Sequence, residues 1–198
     1  RLEQGVSCLD LFLEAGLTAS KGESRRLIRG KGAKVNGKQV VDENMMVIYD
    51  PNERWMTSGD TRKRMMALGA VGNVLCLEDP IPRWKLNDYA LLRSQGTIPI
   101  VLHVSLPYIL HGQRVKDAIQ AIELNAVDGF NFNGGLANFQ RLDHIASAAA
   151  LPCWHGSEID LGILEAMYMH SCSAAASCIW PSDIFGRLIR QHDLLKTP

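Results

Sequence analysis

The stretch Asn73–Pro82, NVLCLEDPIP, decides how the chain is read. A short apolar run, Val74-Leu75-Cys76-Leu77, ends abruptly in two adjacent carboxylates and a proline. An apolar run of this length closed by a proline spells a buried strand, so Glu78 and Asp79 are expected at its C-terminal rim. In parallel α/β folds that rim is where the chemistry sits. The same design recurs in VIYDPN (47–52), IPIVLHVS (98–105), VDGFNFN (127–133), LPCWHGSE (151–158) and CIWPSD (178–183). Each reads as a buried strand with a polar tip.

Helical patterns fill the intervals at Thr61–Leu68, Leu86–Ser94, Gln113–Asn125, Leu136–Ala150 and Leu161–Ala176. Short apolar strands alternating with helices imply parallel βαβ units, which build either a doubly wound sheet or a barrel. A barrel is favoured. No strand is followed by a glycine-rich phosphate loop, and polar tips occur on every strand rather than at one switch point. The expected fold class is α/β, a partial (β/α)8 TIM-type barrel of about six βα units, preceded by a small α+β module.

The module precedes Ile48. Leu9, Leu11, Phe12, Leu13 and Ala15 form a helical stripe stopped by Gly16. Ser20-Lys-Gly-Glu is a capping box opening a second helix to about Arg29, ended by Gly30 and Gly32. Asn36-Gly37 between two short alternating runs is a strong hairpin signal. Between Ser20 and Val40 seven basic residues (Lys21, Arg25, Arg26, Arg29, Lys31, Lys34, Lys38) face one acidic residue, Glu23. On a chain of zero net charge, so local an excess suggests a polyanion contact, although a charged face can also be merely solvated.

At 198 residues, 46% of them hydrophobic, the chain can bury a real core. The five cysteines are odd in number, show no CxxC spacing and mostly fall in apolar runs, so they read as reduced core residues of a cytoplasmic protein. No apolar run approaches a membrane helix and no signal peptide is visible. The sequence begins without Met, so its true start is expected to lie upstream.

Successive strand tips carry Asp50, Glu78 and His103, spaced 28 and 25 residues apart, about one βα unit each. Ligands from three adjacent strand ends converge above a barrel. Two carboxylates favour Mg²⁺, whereas the histidine tilts the set toward Mn²⁺ or Zn²⁺. The competing reading is that these side chains only cap strand ends.

Two resemblances refine this picture. LDLFLEAGLTASKGESRRLIRGKGAKVNGKQVVDEN resembles the αL RNA-binding motif, in the version found at the C-terminus of bacterial tyrosyl-tRNA synthetases. The resemblance covers residues 2–45 and implies a grip on structured RNA, such as tRNA, by Lys21, Arg25, Arg26, Arg29, Lys31 and Lys34. Where the synthetases continue with a further strand after DEN, this chain passes into MMVIYDPNERW.

Residues 48–198 resemble the barrel of the enolase superfamily, in its mandelate racemase and muconate lactonizing enzyme branch, from the third strand to the end. DPN matches the strand of the first metal ligand, EDP that of the second and LHVS that of the third; NFNGG, PCWHGSE and PSDIFGRLIR continue the match. The resemblance implies a metal-dependent lyase or racemase that abstracts the α-proton of a small hydroxy-acid or sugar-acid carboxylate.

The chain departs from the family in several places. His103 stands where the third ligand is usually an acid, and Asn133 where a lysine base or the aspartate of a dyad is common. His155 is the best remaining base, or else a rim histidine bonded to Asp183 or Ser157. The candidate catalytic set is therefore His155, Asn133 and Asp183. The capping domain and the first two strands, with their K-x-K base, find no counterpart, so an impaired, truncated barrel is expected. The parts divide at 1–47 and 48–198. An enzyme, an RNA-binding protein with an inactive barrel, and a non-functional fusion are the three readings, and open barrel edges imply a homo-oligomer.

Overall fold

The computed structural model describes residues 8–14, 16–35, 38–40, 47–71, 74–104, 115–156, 161–184, 186 and 191–192. The first module contains α1 (Cys8–Glu14), α2 (Lys21–Arg29), β1 (Lys34–Val35) and β2 (Lys38–Gln39). Leu9 and Phe12 of α1 pack with Ile28, Ala33 and Val40 in a small core. Helix α1 stops where expected. Gly16 takes φ +68, a left-handed conformation that costs glycine little, and the Leu17 N–H returns to the Phe12 carbonyl at 2.9 Å.

The capping box forms in a shifted version. The Ser20 hydroxyl accepts the Glu23 N–H at 3.2 Å, and the Glu23 carboxylate accepts the N–H of Ala19, one residue before the cap, at 2.7 Å. Strands β1 and β2 pair antiparallel, Lys34 with Gln39 and Val35 with Lys38, as a two-residue turn requires. The Asn36-Gly37 turn itself lies outside the described residues.

The second part alternates strand and helix: β3 (Val47–Tyr49), α3 (Ser58–Val71), β4 (Val74–Glu78), α4 (Leu86–Gln95), β5 (Ile100–Val104), α5 (Val115–Glu123), β6 (Gly129–Phe132), α6 (Leu136–Ala148), β7 (Cys153–His155) and α7 (Gly162–Ala174). The five strands pair in parallel in chain order, β3-β4-β5-β6-β7, and curl into a half-barrel. No described helix is long and apolar enough to cross a membrane.

Strand alternation makes two cores. Leu77, Ile100, Leu102, Val104, Phe130 and Phe132 project toward the helices and bury against Met65, Leu68, Tyr89, Leu92, Ala118, Ala121, Phe139 and Leu142. Each such side chain contributes about 1.5–3 kcal/mol of burial, which makes this layer the main stabiliser. The opposite parity, Cys76, Val101 and Trp154, points inward and meets Ile48 and Trp180.

The parallel sheet has five strands among the described residues, not six. The expected sixth, CIWPSD, forms no strand but runs beside β7 as an irregular strap: Cys153 N–H bonds the Ser177 carbonyl at 2.7 Å, Trp180 N–H the Cys153 carbonyl at 3.3 Å, and Asp183 N–H the His155 carbonyl at 2.9 Å. Pro181 has no N–H to give a ladder, and the Ser182 hydroxyl takes the His155 N–H at 3.0 Å instead. The strap is pinned beneath by Asp143, which accepts the Ser177 N–H at 2.9 Å. The edge of β7 is thereby covered.

Candidate active site at the strand rim

The C-terminal ends of the strands open on a cleft of about 420 Å³ lined by Asp50, Asn52, Glu53, Glu78, Arg83, His103, Asn131, Gly156 and Asp183. Parity selects these residues. Glu78 shares the inward parity of Cys76, His103 that of Val101, and His103 pairs in register with Asn131. Asp50 follows β3 and accepts the Asn52 N–H at 2.7 Å, which turns the chain at DPN.

Glu78 is 4% exposed and accepts the Asn131 Nδ2–H at 2.6 Å, while its Oε1 lies 3.5 Å from His103 Nδ1. Burial first, then the charges of Asp79 and Asp50, push the Glu78 carboxyl up to about 9. In the absence of a cation Glu78 therefore carries a proton at neutral pH.

Asp79 has left the strand conformation at φ 40 and swings its carboxylate into a buried cluster of its own. It receives Arg83 Nε–H at 2.6 Å, the His103 N–H at 2.9 Å and the Tyr89 hydroxyl at 3.4 Å. Arg83 Nε also lies 3.2 Å from Glu53 Oε1. Burial raises the Asp79 carboxyl and Arg83 opposes it. For Arg83 the balance is reversed: burial works against its charge, but Asp79 and then Glu53 outweigh it and the guanidinium pKa rises.

Arg83 Nη2 also reaches His103 Nδ1 at 3.3 Å. A guanidinium only donates, so Nδ1 is the acceptor and the imidazole is neutral. Burial first, then Arg83, push His103 down to about 4, with Asn133 opposing. The lone pair of the neutral ring lies on Nδ1, which faces both Arg83 Nη2 and Glu78 Oε1, so a metal ion held there would take the place of the Arg83 donor.

The donor set fits a divalent cation. Glu78, Asp79 and His103 each present a ligand atom, and these lie within 4.8 Å of one another; Asp50 borders the same cleft. Carboxylates with one neutral imidazole suit a divalent metal ion. The proton that Glu78 holds against such crowding is what a cation would displace.

Of the residues singled out from sequence, Asp50, Glu78, His103 and Asp183 are brought to the cleft. Asn133 and His155 do not line it. Asn133 closes β6, its N–H on the Val104 carbonyl at 3.2 Å and its carbonyl taking Asn138 Nδ2–H at 3.4 Å. The His155 ring is fully buried on the helix side, its centroid 5.0 Å from that of Phe139 and 4.0 Å from that of Tyr168. Sequence reasoning placed Asp79 at the rim without giving it a role, and missed Arg83, Glu53 and Asn131. A signal existed in EDPIPR, where an arginine four residues after an aspartate stands in an otherwise apolar stretch.

Gly156 is needed for close approach. A Cβ there would collide with the Asn131 carboxamide, whose nitrogen lies 2.9 Å from the added atom. Gly156→Ala is expected to displace Asn131 from Glu78 and destabilise the barrel by about 1–3 kcal/mol, measured by urea unfolding. Unchanged stability would mean that the Asn131–Glu78 bond does not depend on the gap.

Residues 36–198 match the family described as enolase C-terminal domain-like. The chain belongs to that family. Among solved structures, this enolase C-terminal domain-like chain resembles N-succinyl Arg/Lys racemase from Bacillus cereus (22% identity, TM-score 0.67, 75% of this chain and 39% of that one). It resembles a mandelate racemase/muconate lactonizing family protein from Azoarcus to a like degree (26% identity, TM-score 0.65, 75% and 39%). It thus spans about two fifths of the length of each of these two proteins. A separate likeness is to the tyrosine--tRNA ligase of Rickettsia felis, 48% identical over 65 residues, which are 31% of this chain and 16% of the ligase.

Proposed function

We propose that the rim cleft binds Mg²⁺ or Mn²⁺ through Asp50, Glu78 and His103 and serves, as part of an enolase-superfamily enzyme, the removal of an α-proton from a hydroxy-acid or sugar-acid carboxylate. The observation that carries this reading is the buried Glu78 carboxyl, 3.5 Å from His103 Nδ1 and gathered with Asp79 and His103 so that their ligand atoms lie within 4.8 Å of one another. Such crowding of carboxyls costs stability unless a cation shares the site. When bound, the ion would neutralise negative charge developing on the substrate carboxylate.

The chain's own residues do the rest. Asn131 orients Glu78, and Asp79 with the Glu53–Arg83 pair fixes the backbone of His103. Of the candidate bases, Asp183 borders the cleft, and burial raises its carboxyl toward the range useful for taking a proton. His155 would have to leave its aromatic packing to act there.

Calorimetry with Mg²⁺ and Mn²⁺, beside α-proton exchange in D₂O over a panel of sugar acids, tests this. Expected are weak binding, release of close to one proton per ion at pH 7–8 as Glu78 ionises, and exchange that Asp183→Asn reduces at least tenfold if turnover is present. Absence of any ion binding would remove the proposal.

A second reading rests on α2. Lys21, Arg25, Arg26 and Arg29 are exposed there, and Lys31 and Lys34 are exposed on the chain that follows, while Ser24 and Ile28 face the module's core. We infer that this basic face grips structured RNA. Arg25→Ala with Arg26→Ala is expected to weaken binding of a tRNA-like hairpin and to lower the slope of log K against log salt by about 2. An unaltered slope would show that the face makes no phosphate contact.

A further inference from the structure

Arg83 joins two parts of the rim cleft through different ends of one guanidinium. Its Nε–H donates to Asp79 Oδ2 at 2.6 Å, with Glu53 Oε1 at 3.2 Å from the same nitrogen. Its Nη2 donates instead to His103 Nδ1 at 3.3 Å, the ring nitrogen that Glu78 Oε1 also approaches at 3.5 Å. The side chain is only 8% exposed, yet it borders the cleft. Carboxylates tether the Nε side, while Nη2 rests on a neutral imidazole that is itself a candidate metal ligand.

The two contacts differ in strength. A guanidinium on a carboxylate makes a charge-assisted bond, short here at 2.6 Å, whereas its bond to a neutral ring nitrogen at 3.3 Å is long and lacks the second charge. The contact to His103 is therefore the one that opens. A small turn of the guanidinium plane releases Nη2 while Nε keeps a carboxylate, because Glu53 stands beside Asp79. The neutral ring has one lone pair on Nδ1, so Arg83 and a divalent ion compete for it. An ion held by Glu78 and His103 would also repel the adjacent guanidinium, and an anion entering the cleft would relieve that repulsion.

We propose that Arg83 is the counter-ion of the rim site when no metal is bound and a substrate-positioning residue when one is: it gives up His103 Nδ1 to the divalent ion and offers the freed Nη2 to a carboxylate oxygen of the acid. Granting the reading of the rim as a cation site for α-proton removal, on which this assignment rests, Arg83 sets the order of binding, ion first and acid second. Without an ion its outer donor is engaged by His103. A guanidinium suits the second task because its planar fork matches a carboxylate, and the tether to Asp79 and Glu53 holds it at the cleft wall. Lysine would supply Asp79 with a counter-charge but has no fork with which to serve a second partner.

Arg83→Lys in the full chain tests this. Calorimetry with Mn²⁺ alone is expected to show the variant binding the ion at least about fivefold more tightly than the parent, since the competitor for Nδ1 is gone. Glycolate, the simplest 2-hydroxy acid, is then titrated into each Mn²⁺-saturated chain, and the variant is expected to bind it at least about tenfold more weakly. A merely structural role would weaken both. On the unmutated chain, which guards against a misfolded variant, a nuclear Overhauser contact between the Arg83 Nη protons and the His103 ring is expected without an ion and should vanish on saturation with Mg²⁺. Binding of Mn²⁺ by neither chain would remove the cation site and this role with it. Equal Mn²⁺ affinities, an unchanged glycolate affinity, or a contact that survives Mg²⁺ would overturn the role of Arg83 and leave the cation site standing.

Discussion

Arg83→Ala is expected to destabilise the half-barrel by about 3–5 kcal/mol at pH 8, the largest loss from any single change at the rim. The guanidinium is 8% exposed and lies 2.6 Å from Asp79, itself 1% exposed, with Glu53 at 3.2 Å. Removing it leaves a buried carboxylate whose other donors, the His103 N–H and the Tyr89 hydroxyl, cannot balance the charge.

The variant can escape by protonating Asp79. That group is already pushed up to about 7 with Arg83 in place, and without it the pKa rises further. A raised folded-state pKa means stability that is present in acid and lost as pH climbs, so the deficit should shrink on going from pH 8 to pH 5. All four tryptophans, at 55, 84, 154 and 180, lie in the barrel part, so urea unfolding followed by fluorescence reports on it. A loss under 1 kcal/mol, or an equal loss at both pH values, would show that Asp79 does not depend on this partner.

Glu78→Gln is expected to do the opposite in the absence of metal. With its folded pKa raised to about 9 from 4.5, Glu78 keeps a proton that the unfolded chain sheds. Its contribution is therefore complete below about pH 4.5 and is lost progressively as pH rises toward 9, by at most about 1.4 kcal/mol per unit. Glutamine stays neutral and can still accept from Asn131. The variant should be more stable than the parent by about 2–4 kcal/mol at pH 8 and equal to it near pH 4.5. Added Mg²⁺ should stabilise the parent and leave Glu78→Gln unmoved, since the ion needs the carboxylate. Superimposable pH profiles would mean that Glu78 is not strained, and the case for a cation site would lose its support. Such a gain in stability on removing a site residue is the mark of a group retained for function.

The sequence by itself determined the elements and their order. Short apolar runs with proline or glycine at their ends, and helical stripes between them, are local signals, and VIY, VLCLE, IVLHV, GFNF and CWH all form parallel strands where expected. Asp50, Glu78 and His103 were legible as rim residues because strand ends in a parallel sheet share one side.

What the sequence left open was parity and partnership. Cys153, Trp154 and His155 form a run buried on both faces, so no alternation marks which residue points inward; pairing of His155 with Phe132 sets it on the helix side and turns Trp154 into the barrel. CIWPSD looks like a strand, yet Pro181 and the waiting Asp143 and Ser182 make it a strap. The turn of Asp79 to φ 40, which sends two neighbouring carboxyls to different partners, and the 20-residue separation of Arg83 from His103 are settled only when the chain is folded. Which charge faces which is a long-range fact, and burial then multiplies its effect on every pKa at the rim.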